Sequence, residues 1–203
     1  MNTIITEKTP YTLQHAKRAI SKIKINFGLQ NKNSSFLGKS ASTPLSRQTT
    51  PKVALDLDTS CFLFDHNGAH LDTVNFTKSK SKCHAIQLEH YASGDIQAAL
   101  HIDFEKLPHS IAHIALVLHS FSGRSFNQVN QILSRILLPS GQEVYRYKTE
   151  GKGNHKSMYI GLLSNRNIDS ETSCWDFRPK TDKNNCFNIQ QLLPILRESL
   201  AEV

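Results

Sequence analysis

Asp56 and Asp58 stand two residues apart in the segment running from Val53 to Asp58. Alternate side chains of an extended chain point the same way. Val53, Leu55 and Leu57 therefore share one face, and Ala54, Asp56 and Asp58 share the other. Two carboxylates side by side repel each other and call for a compensating cation. A hard cation such as Ca2+ takes about six to eight oxygen ligands, so a metal here needs further acids brought near by the fold. Asp65, Asp72, Glu89 and Asp95 are the candidates. Lysine is the other route to neutrality, and Lys78, Lys80 and Lys82 alternate with serines a short distance downstream.

Other chemistry finds little support. The chain has no glycine-rich phosphate loop, no Gly-x-Ser-x-Gly elbow, no His-Glu-x-x-His and no Gly-x-Gly-x-x-Gly. Ten histidines invite a metal reading, but His66/His70 and His109/His113 do not lie in helical segments, and His113 and His119 stand far apart along one strand. They read as hydrogen-bonded or solvated side chains. Cys61, Cys83, Cys174 and Cys186 are widely spaced and form no Cys-x-x-Cys pair. They read as free thiols in a reducing compartment.

The elements that must position the aspartates are mostly short strands. Ile23, Ile25 and Phe27 alternate with Lys22, Lys24 and Asn26, as in a half-buried strand. The strand from Val53 ends at Asp65-His66-Asn67-Gly68, where Asn-Gly tolerates positive φ. Leu100, Ile102 and Phe104 alternate up to Leu107-Pro108. Ile111 to Phe121 is nearly all apolar, which predicts a central strand covered on both faces. Segments 132–138 and 142–147 flank Pro139-Ser140-Gly141 as a hairpin, and 158–163 and 174–177 are shorter strand candidates. Ile189, Leu192, Leu193, Leu196 and Leu200 fall at helical spacing behind Asn188, a suitable N-cap. Pro194 would kink that helix or mark a later start. Many short strands with turns between them predict a mainly β fold, a sandwich or barrel with a short C-terminal helix.

Charge divides the chain. Residues 1–52 hold nine Lys/Arg and one acid, whereas residues 53–203 hold fifteen Lys/Arg and sixteen acids. We expect a basic N-terminal arm over 1–19 and a sandwich domain over 20–203, with a flexible loop at 30–51 and the helix at 187–203. Only Tyr11, Phe27 and Phe36 interleave with the basic residues, so a base-stacking platform for nucleic acid is not expected. No apolar run is long enough for a transmembrane helix, and the first residues lack a signal peptide's pattern, so a cytoplasmic location is expected.

The ordered set of motifs resembles the tellurite-resistance TerD family. The segment from Ala54 to Gly68 is similar to that family's Asp-Leu-Asp-Ala-Ser strand and turn. Ser21 to Leu29, Ile102 to Pro108, Ile114 to Ser120, Phe126 to Asn130 with Arg135, and Gly141 to Tyr147 resemble further family elements in order. The resemblance runs over about residues 6–177. It implies a two-sheet antiparallel β-sandwich that binds Ca2+ and acts in tellurite resistance and general stress response. It also implies partnership with other Ter-type proteins, some at the inner membrane face, and no catalytic activity.

On that pattern the candidate metal ligands are Asp56, Asp58, Glu89 and Asp95. The family's acidic calcium loop is shortened here to Glu89 through Ala98, where only Glu89 and Asp95 remain acidic. Fewer anionic ligands mean weaker Ca2+ binding or its loss. Compensation by Lys78, Lys80 and Lys82 would then make the domain a metal-free interaction module. A third reading gives the basic arm a role on nucleic acid or anionic membrane.

Overall fold

The computed structural model describes residues 10–15, 18–31, 57–91, 96–120, 123–166, 174–186 and 188–201. In chain order the strands are β1 (Tyr11–Thr12), β2 (Gln14–His15), β3 (Arg18–Ala19), β4 (Lys22–Asn31), β5 (Leu57–Phe64), β6 (His70–Val74) and β7 (Ile86–His90). They continue with β8 (Ile96–Asp103), β9 (His113–Ser120), β10 (Val129–Leu137), β11 (Glu143–Glu150), β12 (Ser157–Asn165) and β13 (Trp175–Asn184), before the helix α1 (Ile189–Leu200). They form a six-stranded sheet ordered β1-β13-β12-β9-β5-β6, a five-stranded sheet ordered β11-β10-β4-β8-β7, and a small β2-β3 pair. Every strand pair is antiparallel. The expected mainly β, two-sheet sandwich with a C-terminal helix is what the chain forms.

One apolar cluster fills the space between the sheets. Ile23, Ile25 and Phe27 of β4 enter it with Leu100 and Ile102 of β8 and Ile114, Leu116 and Leu118 of β9. A second cluster lies on the far side of the six-stranded sheet. There Phe62, Phe64, Ala115, Val117, Tyr159 and Leu162 pack against Leu192, Leu196 and Leu200 of α1. Strand β9 is thus covered on both faces, which is why its sequence is continuously apolar rather than alternating.

Local chemistry sets the connections. Gly68 adopts φ +74 and donates its N–H to the Asp65 carbonyl, while Asp65 Oδ1 accepts from the Asn67 and Ala69 N–H groups. Gly141 takes φ +84 in the β10–β11 hairpin. The Asn188 side chain accepts from the Gln191 N–H at 2.9 Å, capping α1. Pro194 sits inside α1, which starts at Ile189 and not after the proline. The leucine stripe and the cap together outweigh the one backbone bond that proline removes.

One boundary differs from that expected. Tyr11 and Thr12 pair with Phe177 and Asp176 of β13, and Leu13 is fully buried in the main core. The segment expected as an arm therefore contributes to the sandwich from Tyr11 onward. Its first nine residues, the loop expected at 30–51 beyond Asn31, and the start of the Val53 strand lie outside the described residues.

Candidate functional site

Antiparallel pairing of β5 with β9 places Asp58 directly opposite His119. Ser60, two residues on, has its Oγ 2.8 Å from His119 Nε2. From the other sheet, His90 at the end of β7 brings its Nε2 to 3.6 Å from Asp58 Oδ1. The edge of His90 in turn meets the Phe76 ring, with ring centres 5.7 Å apart. The aspartate therefore lies at a seam where the β5 and β7 sides of the sandwich approach, with an imidazole from each sheet.

Burial pushes the Asp58 carboxyl above the usual carboxylate range, opposed by the His119 and His90 imidazoles and the Thr59 N–H. Burial also pushes His119 below the usual histidine range, opposed by Asp58. Both groups are thus biased toward their neutral forms by loss of water, and each partly restores the charge of the other. His119 Nδ1 is buried and has no hydrogen-bond partner among the described residues. Beside His119 a cleft of about 470 Å3 opens toward Asn75, Thr77 and the Asn188–Ile189 start of α1.

Serine, imidazole and carboxylate here have the composition of a nucleophilic triad. Their setting does not fit that chemistry. Ser60 is 1% exposed, in the middle of a paired strand, whereas a catalytic hydroxyl must meet its substrate.

Two of the expected lysine partners bind Asp72. Lys78 forms an ion pair with Asp72 Oδ1, and the Lys82 N–H donates to Asp72 Oδ2 at 2.7 Å. Burial alone would raise the Asp72 pKa, but the bonds from Lys78, the Lys82 N–H and the Thr73 N–H hold it below the usual range. Lys80 forms a backbone bridge to Gln87. Glu89 lies on the outer face of the five-stranded sheet. Its Oε2 accepts from the Tyr91 hydroxyl at 2.8 Å and lies 3.0 Å from His101 Nε2, and these bonds lower its pKa. Asp56 and Asp95 lie outside the described residues.

Of the four candidate metal ligands, the described pair are thus on different sheets with different partners. Among the described residues no group of three or more His, Cys, Asp or Glu could hold a metal ion. A calcium ion needs a shell of oxygens; the described partners of Asp58 are the His90 and His119 imidazoles and the Thr59 N–H. Sequence reasoning missed His90 and His119. Parity put His119 on one face with His113, but the register that sets it opposite Asp58 was not legible.

The geometry defines a class first: a two-sheet antiparallel sandwich with a helix over one sheet and a buried Asp–His seam. The chain belongs to the TerD domain family, whose model matches residues 1–179. It is 32% identical over 129 residues to the tellurium resistance protein TerZ of Serratia marcescens, a match spanning 61% of this chain and 64% of that relative. Its fold is similar to a crystal structure of a protein of unknown function, SAV2460, with a TM-score of 0.60 at 14% identity, covering 84% of this chain and 94% of the other. It is also similar to a homologue of telluride resistance protein (TerD) from Streptomyces coelicolor A3(2), with a TM-score of 0.56 at 10% identity, covering 85% and 95% of the two chains.

Proposed function

We propose that the chain is a non-catalytic binding domain serving tellurium resistance, with an Asp58 seam that works without a resident metal. The observation that carries this reading is the surroundings of Asp58. Its carboxylate faces one imidazole at 3.6 Å and a second directly opposite on β9, with no described oxygen ligand set around it. The burial of Ser60 supports a binding role over hydrolysis. Family membership and the name of the Serratia relative support the link to tellurium.

The partners are other Ter-type proteins, met through the sandwich surface. Among the described residues no helix is long and apolar enough to cross a membrane, so contact with an inner-membrane partner would be made from the membrane face. Deleting the gene from its host and restoring it tests the reading. Loss should lower the tellurite concentration that cells survive, and re-expression of the full chain should restore it. Survival unchanged by deletion would contradict the proposal.

A further inference from the structure

The outer face of the five-stranded sheet holds a cleft of about 510 Å3, within the range of about 300–1,000 Å3 usual for small-molecule sites. Its floor is Asn26 of β4. This residue is 8% exposed, and its Oδ1 is fully buried with no hydrogen-bond partner among the described residues. Strand register puts Ala99 beside it on β8 and Arg135 beside it on β10. A second acceptor in the same cleft, Asp103 Oδ1, is also buried and without a partner among the described residues. Its other oxygen, Oδ2, is held by Lys22 at 3.2 Å and Lys106 at 3.6 Å.

Cations line the rim. Lys22 is half exposed, and Lys24 rests its Nζ 3.3 Å from the Tyr91 hydroxyl. His84, also on the rim, is the one non-glycine residue with positive φ among the described residues, at 59°. Buried acceptors that no protein donor reaches call for a donor from outside the chain. Ammonium groups above them call for an anion. One molecule can satisfy both when it carries an anionic group and a hydroxyl.

We propose that this cleft binds a small hydroxylated oxyanion. Its phosphate or carboxylate lies between Lys22 and Lys24, and its hydroxyl donates to Asn26 Oδ1. Leu137 and Pro139 form an apolar wall for the carbon skeleton. The site shares no lining residue with the Asp58 seam and does not depend on the reading given to that seam.

NMR titration of the full chain with ribose 5-phosphate and with gluconate separates the phosphate and carboxylate versions. Ribose and inorganic phosphate are the controls. At least one of the two hydroxylated anions should shift the Asn26 side-chain amide saturably, at least about tenfold more tightly than inorganic phosphate, whereas neutral ribose should not shift it. Asn26→Ala and Lys24→Gln should each weaken that binding about tenfold or more. Asn26→Asp, of the same shape, serves if the alanine variant does not fold, and its added negative charge should also weaken binding. No shift with either anion at millimolar concentration, or affinity unchanged in the Asn26 and Lys24 variants, would overturn the proposal.

Discussion

The outer face of the six-stranded sheet turns Phe62, Phe64, Val117 and Leu162 toward α1, whereas the outer face of the five-stranded sheet carries the charged side chains of Lys24, Arg135 and Arg146. Both sheets send their other face into the same core. The difference shows what the helix is for. A sheet apolar on both faces cannot leave one of them in water, so the leucine stripe of α1 is required by β5, β9 and β12. The open face needs no cover because its charges are solvated or paired, as Arg146 is with Glu143 through two hydrogen bonds. Polar chemistry follows the same division. On the roofed sheet it gathers in small paired sets, at the seam by the α1 start where Asp58, Ser60 and His119 meet and at His113–Ser164 and His70–Thr73. On the open sheet it is spread across the face.

Breaking the roof should have the largest effect. Leu196 is 1% exposed, and Leu196→Ala should cost about 2–4 kcal/mol, read as a loss in urea midpoint at unchanged slope. A loss below about 0.5 kcal/mol would mean that the helix does not pack as described.

What cover does to a titratable group is sharpened by His155, which is 7% exposed and lies against Phe126 with ring centres 4.6 Å apart. Burial, helped by Lys183, pushes its pKa down to about 4. An unfolded histidine titrates near ~6.5, so between that pH and about 4 the unfolded chain binds a proton that the folded one refuses. Stability should therefore fall as pH drops through this window, by about 2–3 kcal/mol in all, and level off below it. Equilibrium unfolding of the chain and of His155→Leu at pH 7 and pH 4.5 isolates the effect: the loss between the two pH values should be smaller in the variant by about 2 kcal/mol, with the other lowered histidines keeping their share.

Smaller effects complete the contrast. Asn188→Ala removes the cap of α1 and should cost about 1 kcal/mol. On the open face, Arg146→Ala removes an ion pair in which the arginine is 31% exposed, and should cost no more than about 0.5 kcal/mol in thermal unfolding. A cost as large as that of Leu196→Ala would erase the distinction between the two faces.

How much of this was legible in the sequence follows the same line. Alternation in β4 assigned Ile23, Ile25 and Phe27 to the core and Lys22, Lys24 and Asn26 to the outside, because a half-covered strand writes its two faces into every second residue. The apolar run of β9 announced cover on both sides. The share of Tyr11 to Leu13 in the sandwich was not legible, because a two-residue strand carries no period. The seam was half legible. Asp58 stood out as a carboxylate needing a partner, but the partner depends on register across β5 and β9 and on where β7 ends. Lys78 and Lys82, near in sequence, proved to serve Asp72, which lies closer to them along the chain.

The central claim is that Asp58 is compensated by imidazoles and not by a calcium ion. Calorimetric titration of the full chain with CaCl2, beside thermal unfolding with and without millimolar Ca2+, tests it most directly. A resident ion at about 100 times its Kd would add about 2.7 kcal/mol to stability. The account predicts no saturable heat and no change in Tm, in the chain and in Asp58→Asn alike. A saturable heat with a Tm rise of several degrees, both lost in Asp58→Asn, would contradict it.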